Sequence, residues 1–303
     1  MKKIISILLI LFIFLIFYMY PVRTGLKSSP FDLSGVKSGE IFGEQEKNSI
    51  PEQKLIDEAG STVRERIRVP AGFKRIEADA GSFEEYLQNL PLKPHGARVR
   101  YFNGKEKTKD VYVAVVDMEI GDRDLQQCAD AVIRLRAEYL YRLGEYEKIH
   151  FNFTSGFLAD YSTWIQGNRI VVNGNQVNWV KQAGFSTDYD SFRKYLDIVF
   201  AYAGTASLAK EMKPVAVEEM RIGDVFIQGG SPGHCVQVVD MAENKSTGEK
   251  LFLLAQSYMP AQDIQILKNP RHEELSPWYP LGFGDTLHTP EWEFNKDDLK
   301  RFE

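Results

Sequence analysis

Residues Gly223–Ala242 read GDVFIQGGSPGHCVQVVDMA. A Gly-Asp pair leads into a β-branched and aromatic run, GGSPG breaks it with the residues that tight turns need, and HCVQVV resumes an extended run. The stretch therefore predicts a strand, a turn and a second strand whose first polar residue is His234. A histidine at such a rim serves as a base, a ligand or an ordinary core residue, and the choice depends on what the rest of the chain brings to it.

Downstream, EKLFLLAQSYM (249–259) supplies a partner strand that turns around ENKSTGE (243–249). Register counting places Gln256 to Tyr258 opposite His234, so Gln256 or Ser257 can orient the imidazole ring. Upstream, RDLQQCADAVIRLRAEYLYRLGEY (123–146) is the clearest helix, with Leu125, Cys128, Val132, Leu135 and Tyr139 on one stripe. Asp122 or Asp124 can cap it, and Gly144 lies near its end. Cys128 thus falls near a helix N-terminus, where free backbone N–H groups and the helix dipole lower a thiol pKa. A cysteine nucleophile needs a thiolate, an imidazole to take its proton and a polar group to orient that imidazole.

The rest of the chain alternates helices and strands. TVRERIRVPAGFKRIEA (62–78) suggests a strand broken at Pro70, and SFEEYLQNLPLKP (82–94) a serine-capped helix halted by Pro91. Hairpins are expected over 97–120, through Asn103-Gly104, and over 168–180, through Asn173-Gly174. A helix over 188–212 is interrupted at Gly204, and HFNFTSGF (150–157) reads as a half-buried strand. The aromatic, proline-rich tail 276–294 is expected to wrap the surface, with the four tryptophans filling core or pinning the tail. Helices followed by mostly antiparallel strands predict an α+β fold.

The chain opens MKKIISILLILFIFLIFYMYPVRTG, two lysines before an apolar run from Ile4 to Tyr20. About 17 residues can suffice to span a bilayer, and the lysines hold that end in the cytoplasm. The run lacks a small-residue cleavage site, so residues 1–23 are expected to be a signal anchor or signal peptide. Residues 24–61, rich in Ser, Gly, Lys and Glu, read as a flexible linker, and 62–303 as a single extracytoplasmic α+β domain in the cell envelope or periplasm. A net charge of -5 and a pI near 5.7 offer no basic field for nucleic acid. Two cysteines and five scattered histidines lack metal-ligand spacing, so no metal or cofactor is expected.

Two resemblances attach to these residues. GDVFIQGGSPGHCVQVV is similar in layout to the Gly-Asp, strand, Gly-His, strand segment of CHAP-type and NlpC-type cell-wall amidases and endopeptidases. That resemblance implies a papain-like core with Cys128 as nucleophile, His234 as base and Gln256 as orienting residue, acting on an amide bond of peptidoglycan or another peptide. The sequence departs from that pattern in the DLQQ preceding Cys128 and in the long segment separating Cys128 from His234, which demands an insertion. Over about 69–302, RDLQQCADAVIRLRAEYLY, FRKYLDIVFAYAGTASL and LLAQSYMPAQDI resemble an uncharacterised exported bacterial family, a domain of unknown function (DUF4846-like), which implies no activity.

Two functions follow as expectations: a membrane-anchored cysteine hydrolase, or a non-catalytic domain binding a cell-wall glycan, peptide or protein. In the second, Cys128 is a core cysteine and His234 is bonded to turn backbone. Cys235 adds a further alternative, a disulfide with Cys128. Strand alternation sends His234 and Cys235 to opposite faces, so a Cys128–His234 dyad and a Cys128–Cys235 contact are expected to exclude each other.

Overall fold

The computed structural model describes residues 53–303. The apolar segment 1–23 and the linker as far as residue 52 lie outside the described residues. The remainder of the expected linker is part of the fold: Arg68 N–H donates to Leu55 O at 2.7 Å and Ile56 bridges Ile67. The packed chain therefore starts before Thr62. Among the described residues no helix is long and apolar enough to cross a membrane.

Thr62 caps a single helical turn, α1 (Val63–Arg66), where a strand was expected, and β1 is only Lys74–Arg75. The threonine hydroxyl accepts from Glu65 N–H and so favours the helical start over extension. Ser82 caps α2 (Phe83–Gln88) in the same way. The hairpin expected through Asn103-Gly104 shrinks to a bridge between Arg100 and Glu106. Its second half becomes β2 (Tyr112–Val115), which pairs with a strand far along the chain instead.

Helix α3 spans Cys128–Arg142 and is followed by the paired β3 (His150–Asn152) and β4 (Leu158–Asp160). Next come α4 (Tyr161–Ile165) and the hairpin of β5 (Asn168–Asn173) and β6 (Gln176–Lys181), where Gly174 takes the positive φ of the turn. Helices α5 (Tyr189–Tyr202) and α6 (Thr205–Glu211) are separated at Gly204, as the sequence indicates.

The remaining strands are β7 (Lys213–Pro214), β8 (Val225–Gln228), β9 (His234–Glu243), β10 (Lys250–Gln256), β11 (Gln265–Leu267), β12 (Tyr279–Pro280), β13 (Thr286–His288), β14 (Glu293–Asn295) and β15 (Leu299–Arg301). Nine strands form one antiparallel sheet ordered β2-β11-β10-β9-β8-β15-β7, with β1 added beside β9 and β12 beside β10. The protein is an α+β fold built on a mostly antiparallel sheet.

Two apolar clusters cover the sheet. Val225, Ile227 and Cys235 pack with Cys128, Val132 and Ile133 of α3 and with Phe192 and Tyr195 of α5. Phe226, Val236 and Val238, of the opposite parity, pack with Phe294, Trp278 and Leu87. Each such side chain, fully buried, contributes about 1.5–3 kcal/mol. That gain explains a correction to the tail, which does not merely wrap the surface: Trp278 and Phe294 are fully buried and β12 joins the sheet.

Candidate active site

Cys128 is the first residue of α3, and Gln127 is its N-cap. Neither aspartate expected to cap the helix is its N-cap, and Asp124 is engaged elsewhere: its Oδ1 accepts from Ala261 N–H at 2.7 Å and from Gln127 Nε2 at 3.0 Å. Asp130 does the capping, its Oδ2 accepting Gln127 N–H at 3.0 Å. Cys128 therefore sits in the first turn, whose N–H groups have no intrahelical partner.

His234 opens β9, directly after the GGSPG turn. Gly233 has to be glycine here, because a Cβ would lie 2.7 Å from Gly230 O and 2.8 Å from Gln228 O while also crowding Thr205 at the start of α6. The β8–β9 register sets Gln228 opposite His234. The imidazole is 1% exposed and lies among rings, with centroids 4.8 Å from Tyr258, 5.4 Å from Trp292 and 5.9 Å from Phe294.

Gln256 ends β10 on the neighbouring strand, and its Oε1 is 2.8 Å from His234 Nε2. The amide orientation is fixed from behind, because Gln256 Nε2 donates to Glu291 Oε2 at 2.8 Å. A carboxylate only accepts, so the amide nitrogen faces Glu291 and the amide oxygen faces the ring. That oxygen also only accepts, so Nε2 carries a proton and Nδ1 is left to take the Cys128 proton and, once protonated, to donate back to the sulfur. Ser257, the other candidate for orienting the ring, instead places its Oγ 3.1 Å from Gln126 O and 2.7 Å from Gln262 O.

The structure thus brings Cys128, His234 and Gln256 together. It also brings in Cys235, against the expectation from strand alternation. Cys235 packs in the same cluster as Cys128, it and the His234 ring are both close enough to the Cys128 sulfur to favour its thiolate, and both cysteines are free. Alternation fixes the side from which each Cβ leaves the sheet. It does not fix where each side chain ends, and His234 is the first residue of its strand.

Donation from the Cys235 thiol, then the His234 ring and Ala129 N–H, outweighs burial and pushes the Cys128 pKa down to about 5. Burial, reinforced by the adjacent Cys128 sulfur, pushes Cys235 well above its ordinary value and keeps it an S–H donor. Burial likewise holds the Asp130 carboxyl well above the usual range, which disfavours a second anion beside the thiolate. Asp130 Oδ1 has no hydrogen-bond partner.

Glu291 and Lys107 escaped the sequence reading altogether. Glu291 follows Pro290 in the tail, Lys107 lies in a lysine-rich turn, and no local pattern links either to His234. His150, Asn152 and Ser155 belong to the β3–β4 pair and its turn, in agreement with the half-buried strand.

No similar protein was found among curated proteins or among solved structures. The profile of a family described as a domain of unknown function (4846) matches residues 63–301, a span that holds Cys128, His234, Cys235, Gln256 and Glu291. The chain belongs to that family.

Proposed function

We propose that this protein is a cysteine hydrolase of papain-like type that cleaves an amide bond, with Cys128 as nucleophile, His234 as base and acid, and Gln256 as the orienting residue. One observation supports this above the others: a cysteine in the first turn of α3 has its pKa lowered by Cys235 and by a histidine at the start of β9, whose ring is bonded to an amide side chain of β10. Together these supply an activated sulfur, a proton carrier and a group holding that carrier in one tautomer.

In this reading the Cys128 thiolate adds to the carbonyl carbon of the substrate. The Cys128 backbone N–H, unpaired in the helix, donates to the oxyanion. The leaving amine takes a proton from His234 as the C–N bond breaks, giving a Cys128 thioester. Water, losing a proton to His234, adds to the thioester; the carboxylic acid leaves and the sulfur is regenerated. The apolar chain start makes a cell-envelope protein, anchored or exported, part of the same proposal, and peptides of peptidoglycan its natural substrate class.

Incubation of the full chain with peptidoglycan-derived peptides tests this. New primary amine should appear with the wild type and not with Cys128→Ala or His234→Ala, and acid quenching should trap an acyl adduct on Cys128. Equal amine release from all three proteins would refute the assignment. The near-complete burial of His234 favours a second reading, a non-catalytic binding domain with a polar knot in its core. Peptide binding at equal affinity by wild type and Cys128→Ala, with no cleavage by either, is its signature.

A further inference from the structure

We infer that Glu291 is a positioning residue of this site, whose carboxylate, acting through Gln256, locks the His234 ring with Nε2–H outward and Nδ1 free for the Cys128 proton. The inference rests on the hydrolase reading for its chemical meaning, but its geometry stands independently. Glu291 Oε2 accepts from Gln256 Nε2 at 2.8 Å and from Lys107 Nζ at 2.6 Å. The Lys107 and Glu291 side chains are 2% and 4% exposed, and Lys107 Nζ also reaches Gln262 Oε1 at 3.1 Å. Lys109 Nζ stands 3.5 Å from the other carboxylate oxygen.

The carboxylate is itself held in place. Thr289 N–H donates to Trp292 O at 2.9 Å, closing the turn that carries Glu291. Trp292 Nε1 donates to Gln228 Oε1 at 2.9 Å, and Gln228 Nε2 donates to Glu293 O at 3.1 Å, pinning that turn to β8 directly opposite His234. Burying an ion pair this deeply costs desolvation that two well-packed apolar residues would not incur. A pair retained at the back of a histidine tautomer lock is explained by what it orients. With the carboxylate gone, the Gln256 amide is free to turn its NH2 toward Nε2–H, and two donors then face each other.

The groups facing Cys128 are His234, Cys235, Asp130 and Tyr258. Two variants of the full chain separate orientation of the ring from simple neutralisation of Lys107. Glu291→Leu removes the acceptor and leaves a buried lysine unpaired, whereas Lys107→Met with Glu291→Leu removes the acceptor and both charges and fills the space with apolar side chains. The pH midpoint of Cys128 alkylation by iodoacetamide should rise by about one unit in both variants, a tenfold loss of thiolate below the midpoint. The proton NMR signal of His234 Nε2–H should broaden or vanish in both.

A double variant that folds, with the wild-type midpoint and an intact Nε2–H signal, would overturn the inference, because the carboxylate would then serve only to neutralise Lys107. Failure of both variants to fold would overturn it too, by making the pair a structural element. An ordinary, unactivated thiol in the wild type would instead sink the hydrolase reading, so the two failures are told apart.

Discussion

Removing the Cys235 thiol tests the source of the Cys128 activation. Donation by Cys235 is the largest influence lowering the Cys128 pKa, ahead of the His234 ring. Hydrogen bonds to charged groups contribute about 1.5–3 kcal/mol, and a thiol is a weak donor, so the low end applies. At about 1.36 kcal/mol per pKa unit, Cys235→Ala should move Cys128 from about 5 to roughly 6. At pH 5 the thiolate fraction then falls from about one half to roughly one tenth.

Cys235→Ser keeps a donor at the same place and should leave the midpoint near 5. The assay is the iodoacetamide alkylation rate from pH 4 to 9, with the modified residue located by mass spectrometry. Cys235 is fully buried, so the alanine variant also loses about 1 kcal/mol to the vacated volume, measured separately by thermal unfolding. A folded Cys235→Ala protein with an unmoved midpoint would refute the reasoning. An equal shift in the serine variant would do so as well.

Three further outcomes are expected. Gly233→Ala forces a Cβ against Gly230 O and Gln228 O, so it should cost about 1–3 kcal/mol and slow Cys128 alkylation by displacing His234; unchanged unfolding and labelling would show that the turn tolerates a side chain. Glu211, which accepts from Asn152 N–H, is pushed up to about 7 by burial. The folded state therefore holds this proton more tightly, and the associated stability is complete below the unfolded value and is lost as pH rises through 7. Glu211→Gln should match wild type at pH 4 and exceed it at pH 8 by about 1 kcal/mol, discounted for partial exposure, in denaturant midpoints; a difference independent of pH would contradict this. Arg75→Met strands the fully buried Asp240, which Arg75 Nε meets at 2.8 Å, and should cost about 3–5 kcal/mol at pH 8. The cost should shrink at pH 4, because burial already favours the protonated Asp240 carboxyl; an equal cost at both pH values would show that the pair is not electrostatic.

What the sequence showed and what it hid divide by range. The GGSPG turn, the Ser82 cap and the break at Gly204 are local patterns, and the structure contains each of them; α3 is there too, but it starts at Cys128, after Leu125, and is buried nearly all round, Arg134 and Glu138 included, rather than along one stripe. Gln256 could be placed near His234 because β9 and β10 share a short turn, and the one-residue slip of register at Leu253/Leu254 is too small to part them. Where a distant segment competes for the same atoms, local rules fail. Asp124 looked like a cap, yet its carboxylate is taken by Ala261 N–H. The segment after Asn103-Gly104 looked like half of a hairpin, yet β11 pairs with it. Glu291 reaches Gln256 across 35 positions and Lys107 across 184, contacts that exist only once the tail has returned to β8. Cys235 misled for another reason: alternation predicts the face from which a side chain leaves, not where it ends, and His234 is the first residue of its strand.

The most direct test of the central claim, that Cys128 is an activated nucleophile, is the thiolate absorbance at 240 nm. The wild-type curve, less that of Cys128→Ala, is titrated from pH 3.5 to 10. The account predicts a single step centred near pH 5, moved to higher pH by His234→Ala. A step near 8.5, the value of an ordinary cysteine, or no step before the protein unfolds would contradict it.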